Sequence, residues 1–271
     1  MHPSRKMSKV ILTIILTISL CFPRMSLSAS TSDLHIYETG TRFALKAKWW
    51  GLSASGSMEI LGNTKFRGKS VILLRSRVKE LGGLMGFLVK FLRMYKKSNT
   101  FDSYIDPATS LTVRYEIYRM TEDGQKHSIE DIYFDRESNS IISLLNNKTI
   151  ARNVAPDIQD TFSAFLNFLY KMNTETLFVG KMFGVNVYGY EETFKVEIEV
   201  THQVIRDGKP VYTVEIKELP AVFKHPASIS SEVMDVGDGF KSPVNGKCKI
   251  QIRVLPDITV KAELQKIRPG H

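Results

Sequence analysis

Strict alternation of apolar and polar residues constrains this chain more than any other feature. In residues 42–49, for example, Phe43, Leu45, Ala47 and Trp49 occupy every second position. The same period recurs in three further segments, residues 194–200, 212–217 and 258–264. Because successive side chains of a β-strand point to opposite faces, this pattern predicts antiparallel strands with one buried and one solvated face. A parallel α/β sheet would instead show continuous apolar runs.

Short turn motifs separate the strand-like segments. Asp123-Gly124, Asp207-Gly208 and Asn245-Gly246 each combine a residue that tolerates positive φ with a glycine, and they predict tight hairpin turns. Further strands are expected at three places, residues 68–79, 111–120 and 127–135. Together the segments predict a meander of about ten to twelve strands, which is large enough to curl or to split into two packed sheets.

Two segments follow the helical period instead. Residues 81–95 combine a broad apolar stripe, glycines near the start and a basic end, which predicts a helix that acts as a mobile flap. Its stripe consists of Leu81, Leu84, Met85, Leu88, Phe91, Leu92 and Tyr95. Residues 157–172 follow Pro156 and predict a second helix, capped by Asp157 or Asp160. Its stripe consists of Phe162, Phe165, Leu166, Leu169 and Tyr170.

The first 29 residues have the order of a secretory signal peptide. Basic residues precede an uncharged apolar run at 10–21, and small residues follow at 26–29. The run is shorter than the roughly 20 residues of a membrane-spanning helix, so cleavage is favoured over a retained anchor. Lipidation at Cys21 is a further alternative, disfavoured because Leu20 is not small. A single β-rich domain is expected over 30–271, with two coupled halves, 30–155 and 175–271, as the alternative.

Charge and cysteine content limit the partners of the exported chain. Removing residues 1–29 lowers the formal net charge from +9 to +5, because 33 of 37 basic residues remain against 28 acidic ones. This mild, dispersed excess is compatible with contact to a membrane surface, whereas nucleic-acid binding would require a basic stripe with aromatic platforms. Only Cys248 of the two cysteines remains, so no intramolecular disulfide is expected. The sequence does not indicate an oligomeric state.

No catalytic or metal-binding pattern stands out. Beyond residue 29 no two histidines lie within five residues of each other, and no cysteine pair or His-Glu-x-x-His motif occurs. Adjacent carboxylates such as Glu130-Asp131 and Glu191-Glu192 would point to opposite faces of a strand and could not cooperate as acid and base. We therefore expect a protein that is not an enzyme and holds no metal or cofactor.

Four polar residues and the two helical stripes are the candidate binding residues. Asp102, Asp106, Arg114 and Asp135 lie in or beside strand-like segments rich in Tyr and Phe. They are interpreted either as a headgroup anchor at a cavity mouth or as turn caps and a cross-strand ion pair. The helical stripes either complete the core or line a cavity for an apolar ligand. The candidate lining residues are Leu84, Met85, Leu88, Phe91, Leu92, Tyr95, Phe162, Phe165, Leu166 and Leu169.

Several short stretches in order resemble an exported bacterial family, domain of unknown function 3108. They are residues 50–56, Trp-Gly-Leu-Ser-Ala-Ser-Gly; residues 102–111, continuing to Arg114-Tyr115; Phe134-Asp135; and residues 160–166, Asp-Thr-Phe-Ser-Ala-Phe-Leu. The resemblance extends from about residue 37 to 264. It implies a bacterial envelope protein, periplasmic or secreted, with a β-rich, half-barrel-like architecture, and it carries over no catalytic residue.

Together these observations predict a mainly β fold with two helices, in which a curved antiparallel sheet is covered by the helices. The favoured function is a non-enzymatic envelope protein that binds a hydrophobic or amphipathic molecule, such as a lipid, an acyl chain or a glycolipid. A structural or protein-binding envelope factor with a dry core is the alternative. An enzyme acting on cell-wall glycan is a more distant one, because no carboxylate pair can be nominated for it.

Export generates the first testable prediction. We expect the mature chain to begin after Ser28 or Ala29, because this small-residue patch follows the apolar run at signal-peptidase spacing. N-terminal sequencing of the protein recovered from the cell envelope checks this. An intact Met1, or a lipid-modified Cys21 as the first residue, would contradict it.

Overall fold

The computed structural model describes residues 37–49, 52–82, 99–120, 123–189, 192–218, 227–236, 239–250 and 258–267. These residues form one sheet of 15 strands and one α-helix, α1, Thr161–Thr174. The strands are β1 (Arg42–Trp49), β2 (Leu52–Phe66), β3 (Lys69–Gly82), β4 (Asn99–Ile105), β5 (Thr112–Met120), β6 (Lys126–Asp135), β7 (Ser140–Ser143), β8 (Lys148–Ala151), β9 (Gln159–Asp160), β10 (Met182–Gly189), β11 (Glu192–Arg206), β12 (Lys209–Glu218), β13 (Ala227–Asp235), β14 (Lys241–Ile250) and β15 (Ile258–Ile267).

The sheet is an antiparallel meander in which nearly every strand pairs with its neighbour in sequence. Its order runs from β8 down to β1, then from β15 down to β9, and the two halves join through the β1–β15 pair. β9 pairs with β10 in parallel. The predicted antiparallel, mainly β architecture is confirmed. The number of strands exceeds the predicted range because β7, β8 and β9, of 4, 4 and 2 residues, are too short to show alternation.

The alternation predicts the buried face correctly. Phe43 of β1 is fully buried, and Val196, Ile198 and Val200 of β11 are at most 4% exposed. Two of the three predicted hairpin turns also occur. Asp207 and Gly208 both have positive φ, at 53° and 74°, which is the conformation that matches the twist of a two-residue hairpin. Gly124, between β5 and β6, has a φ of 81°.

The third predicted turn, Asn245-Gly246, is wrong. Both residues lie inside β14, where the pairing with β13 changes register between Ser230 and Glu232. Asn245 adopts a φ of 63° there, and its Nδ2 donates a hydrogen bond of 2.7 Å to Glu232. The positive φ of this residue serves a β-bulge, which bends the strand without ending it.

Contacts between distant strands show that the sheet is strongly curved. Phe134 of β6 and Tyr188 of β10 are eleven places apart in the strand order, yet their rings meet edge to face at 6.0 Å. The hydroxyl of Tyr188 also donates a hydrogen bond of 2.7 Å to Glu130. The sheet is therefore a curved half-barrel with its apolar core on the concave side, where α1 lies against β4, β9, β10 and β14.

The prediction of two helices needs correction. The second helix begins at Thr161 rather than at 157, because Gln159 and Asp160 form β9 before Asp160 caps the helix. Leu81 and Gly82, expected at the start of the first helix, instead end β3. The rest of the predicted segment lies outside the described residues, including Leu84, Met85, Leu88, Phe91, Leu92 and Tyr95. So does the signal peptide. No helix among the described residues is long and apolar enough to cross a bilayer.

Gly62 supplies a test of the bulged geometry of β2. It lies at a register irregularity with a φ of +98°, and a Cβ atom there would approach Oγ1 of Thr39 to 2.9 Å. We expect Gly62→Ala to lower the free energy of unfolding by about 1–3 kcal/mol, because the backbone is strained for an L-residue. Gly184→Ala is the matched control, since Gly184 has no positive φ and an added Cβ would meet only Lys195, at 3.6 Å. Urea unfolding checks both, and equal midpoints would contradict the prediction.

Candidate functional site

The most densely bonded polar group on the concave side is the carboxylate of Asp160. Its Oδ1 accepts hydrogen bonds from Ser103 Oγ at 2.9 Å, Phe162 N at 2.9 Å and Ser163 N at 3.2 Å. Its Oδ2 accepts from Thr112 Oγ1 at 2.8 Å and from Ser163 Oγ at 2.5 Å. We refer to Asp160, Ser103, Thr112 and Ser163 as the Asp160 cluster. It joins β4, β5, β9 and the start of α1, and all four side chains are buried.

Arg136 reinforces this junction from the turn between β6 and β7. Its Nη2 donates to the carbonyl oxygens of Thr112, at 2.5 Å, and Ile158, at 2.6 Å, and its Nη1 donates to that of Pro156, at 3.0 Å. Desolvation lowers the pKa of the guanidinium. With Asp160 capping the helix and Arg136 binding carbonyl groups, the cluster holds β9 and α1 against β5. These contacts join the sheet to the start of the helix.

The four candidate lining residues on α1 lie in the core. Phe162, Phe165, Leu166 and Leu169 are at most 6% exposed, and the ring of Phe162 lies 5.0 Å from that of Phe101. A cavity of about 10 Å³ adjoins Phe168 and strands β11–β13, which is room for about one water molecule. Tyr170, also expected in the stripe, is instead 38% exposed. The described part of the α1 interface is therefore closely packed, and a ligand role for these residues remains a prediction.

Two of the candidate polar residues form cross-strand ion pairs. Asp102 accepts from Arg75 of β3 in a bidentate pair at 2.7 and 2.8 Å. Arg114 makes an equivalent pair with Asp131 of β6, with both distances 2.8 Å. Asp102 is 1% exposed, and its partner Arg75 has a raised pKa, chiefly because of this hydrogen bond. Both pairs are bidentate, which fixes the geometry of neighbouring strands.

The other two candidate polar residues lie in turns. Asp106 accepts from the backbone of Ala108 at 2.9 Å between β4 and β5. Asp135 accepts from the hydroxyl and backbone of Ser138 and from the backbone of Glu137. The Ser138 hydroxyl makes the largest contribution to the lowered pKa of Asp135, with a smaller one from the charge of Arg67. These contacts match the alternative interpretation, turn caps and cross-strand ion pairs.

The sheet itself separates the polar candidates from the apolar ones. Phe101 and Tyr115 belong to the concave core, so Asp102 and Arg114, their neighbours along β4 and β5, lie on the opposite, convex face. Residues on α1 and residues beside Arg114 therefore cannot bind the tail and the headgroup of one molecule in the same cavity. The combined site expected from the sequence is divided between two faces.

The convex face carries a group of rings and cations that sequence reasoning only partly found. The guanidinium carbon of Arg67 lies 3.9 Å from the ring centre of Tyr133. The ring centre of Phe66 lies about 6 Å from the ring centres of Tyr104 and Tyr133. Arg114 lies 4.8 Å from the ring of Tyr104, whose pKa is raised by burial. Phe66 and Arg67 were missed because a Phe-Arg-Gly turn carries no recognised binding pattern. The described residues contain no group of three or more potential metal ligands.

Comparison with known proteins identifies a family but no activity. The family model described as "Protein of unknown function (DUF3108)" matches residues 42–230, a range that contains the whole Asp160 cluster. No curated protein matches the sequence. The crystal structure of a beta-barrel-like protein of domain of unknown function DUF1849 from Brucella abortus is similar with a TM-score of 0.44 and 10% identity, covering 86% of this chain and 99% of that one.

The Asp160 cluster gives a prediction about stability. We expect Asp160→Asn to lower the free energy of unfolding by about 2 kcal/mol, because an amide nitrogen would face two hydroxyl groups that now donate to a carboxylate. Asp157→Asn is the matched control, since that carboxylate is exposed and, among the described residues, accepts one hydrogen bond, from Asn186 Nδ2 at 2.7 Å. Denaturant midpoints check both variants. A loss in Asp160→Asn no larger than in the control would contradict the structural role.

Proposed function

This chain belongs to the DUF3108 family, whose function is unknown, and we propose from its geometry that it is a non-enzymatic, exported protein of the cell envelope that binds a hydrophobic or amphipathic molecule. A lipid, an acyl chain or a glycolipid fits this description. The proposed binding region is the concave side of the long strands, beyond the part that α1 covers.

The length of β1–β3 carries this proposal. The described core residues of β2 are Met58 and Ile60, but β2 begins at Leu52 and is paired with β1 over residues 52–57 and with β3 over residues 53–57. We call this part of the sheet the long-strand extension. Its six residues of β2 span about 20 Å, whereas one leaflet of a bilayer core is about 15 Å thick. The extension is therefore long enough to accommodate an acyl chain.

The register of the extension supports an apolar ligand. Ala47 of β1 pairs with Ala54 of β2 on one side and with Ala262 of β15 on the other. This row is in phase with Phe43 and Met58, which pair with each other and are both fully buried. A row of alanines contributes little side-chain volume across three adjacent strands. Each buried CH₂ group of a ligand would contribute about 0.8 kcal/mol of affinity there.

The use of the described carboxylates supports a role without catalysis. Asp160 accepts five hydrogen bonds at the junction of the sheet and α1. Glu116 accepts from Lys126 and Ser128, both at 2.7 Å. Although burial raises the pKa of Glu116, these hydrogen bonds outweigh it and hold the pKa below its usual value. Glu116 is therefore unsuited to exchanging protons near neutral pH.

The alternative is a structural or protein-binding envelope factor with a dry core. The close packing of α1, with room for about one water molecule beside it, favours this alternative for the described interior. The two functions differ in what the long-strand extension holds. A dry extension would be filled by protein side chains, while a binding extension would take up an acyl chain from solution.

Tryptophan fluorescence tests the proposal directly. The chain has two tryptophans, Trp49 and Trp50, and Trp49 ends β1 opposite Leu52, at the far end of the extension. We expect a bromine-labelled fatty acid to quench the tryptophan emission saturably. Because quenching by bromine acts only at short range, it would locate the acyl chain at the extension. Native mass spectrometry of the purified protein detects any ligand that co-purifies, and mass spectrometry of an organic extract identifies it.

Two adjacent substitutions in β2 separate the proposal from its alternative. We expect Ala54→Leu to weaken binding of the fatty acid at least tenfold, because it fills the alanine row, and to leave the denaturant midpoint unchanged. Ser55→Leu adds a similar volume at the alternate position and is expected to bind within twofold of the original chain. If the region is dry core, the original chain will show no quenching and Ala54→Leu will cost about 1–3 kcal/mol through overpacking.

A further inference from the structure

The β2–β3 hairpin extends well past its neighbour β1. Pairing between β1 and β2 ends at Arg42 and Glu59, but β2 and β3 remain paired up to Phe66 and Lys69. Those seven further residues of β2 span about 23 Å. Phe66 anchors the tip through its contacts with Tyr104 and Tyr133. The tip is thus held in a defined position at one edge of the sheet.

Three cations are exposed at this tip. Lys65, Arg67 and Lys69 are exposed, and none makes an ion pair or hydrogen bond with the described residues. Arg67 interacts at longer range with the charge of Asp135. No acidic residue occurs between Glu59 and Glu80. The tip therefore presents a local positive charge whose hydrogen-bond donors are available to an anion.

Arg67 occupies a costly backbone position. Its φ of 48° is in the left-handed region, where a hairpin turn favours Asn, Asp or Gly. Its guanidinium lies over the rings of Tyr133 and Phe66, at 3.9 and 5.6 Å. Stacking on these rings restricts the guanidinium and leaves its N–H groups at the edge, where they suit the oxygens of a phosphate. Strain at an exposed, preoriented cation points to a role in recognition.

A second hairpin tip projects from the same edge. The antiparallel register, followed from β2 through β1, β15, β14 and β13 to β12, places the β11–β12 turn at the edge that carries the β2–β3 turn. Residues 202–209 are exposed on both faces of that hairpin. Val204 is 40% and Ile205 67% exposed. This tip therefore offers apolar contacts on the same edge as the basic tip, with four strands between the two hairpins.

We propose that this edge docks on an anionic membrane surface. Lys65, Arg67 and Lys69 bind lipid phosphates, and Ile205 enters the interfacial layer. The two tips lie on one edge with four strands, β1, β15, β14 and β13, between them, so an extended surface of anions suits them better than a small molecule. Exposed cations and apolar residues presented on the same side of a protein are the general pattern of interfacial attachment.

This inference does not rest on the proposed acyl ligand. The long-strand extension continues toward the β1–β2 turn, at the opposite edge of the sheet from the two tips. Docking would therefore leave the extension accessible. Binding of a fatty acid and binding to vesicles are separate measurements, and either can fail without affecting the other.

Vesicle flotation of the purified protein tests the docking. We expect it to float with vesicles containing phosphatidylglycerol and to remain in solution with pure phosphatidylcholine, with binding that weakens as salt screens the charges. The triple variant Lys65→Gln, Arg67→Gln, Lys69→Gln should bind at least tenfold more weakly, because each cation near an anionic surface contributes separately. Ile205→Ser should weaken binding severalfold without changing its salt dependence.

A charge-matched control makes the result specific. Lys148→Gln, Lys195→Gln, Lys217→Gln removes three exposed cations that lie toward the opposite edge of the sheet and should bind within twofold of the original chain. Melting temperatures verify that all variants fold. Equal vesicle binding by the tip variant and the original chain, or an equal loss in the control, would overturn the proposal. Binding of the tip to a soluble acidic polysaccharide but not to vesicles would also overturn it, since the membrane would then be the wrong partner.

Discussion

The buried carboxylate of Asp160 is the interaction on which the curvature of the sheet depends. The strands at the two ends of this meander cannot close through a continuous ladder, because β9 is 2 residues long and pairs with β10 alone. Hydroxyl groups of Ser103 and Thr112 reach across to Asp160 instead. The same carboxylate caps α1, so closure of the sheet and placement of the helix depend on one side chain.

Because the sheet closes around the helix, its two faces carry different kinds of side chain. The concave face receives α1 and becomes apolar, and the polar side chains of the Asp160 cluster are hydrogen-bonded to one another there. The bidentate pairs Arg75–Asp102 and Arg114–Asp131 lie on the convex face. Charged side chains are thereby directed outward and apolar side chains inward. A ligand that needs both would have to reach around an edge of the sheet.

Sequence periodicity predicts the strands of this fold better than it predicts the contacts of the candidate site. Alternation identifies the strands because burial of one face imposes it, and Asp207-Gly208 identifies its hairpin because both residues accept positive φ. Asn245 misleads because a bulge requires the same φ as a turn. The capping of the helix by Asp160 is local and could be predicted. Its bonds to Ser103 and Thr112 and the stacking of Arg67 on Tyr133 could not be predicted, since they join residues more than 45 positions apart, and such pairs leave no local pattern.

Three of the four stretches that carry the family resemblance meet around the junction of sheet and helix. Ser103 lies in the second stretch, Phe134 in the third, and Asp160 with Phe162 in the fourth. Their side chains bond or pack where the curved sheet closes. The first stretch, residues 50–56, instead overlaps the long-strand extension of β2. The two hairpin tips, residues 65–69 and 202–209, lie outside all four stretches. Charge and apolar exposure at the tips are therefore set independently of the contacts that close the sheet.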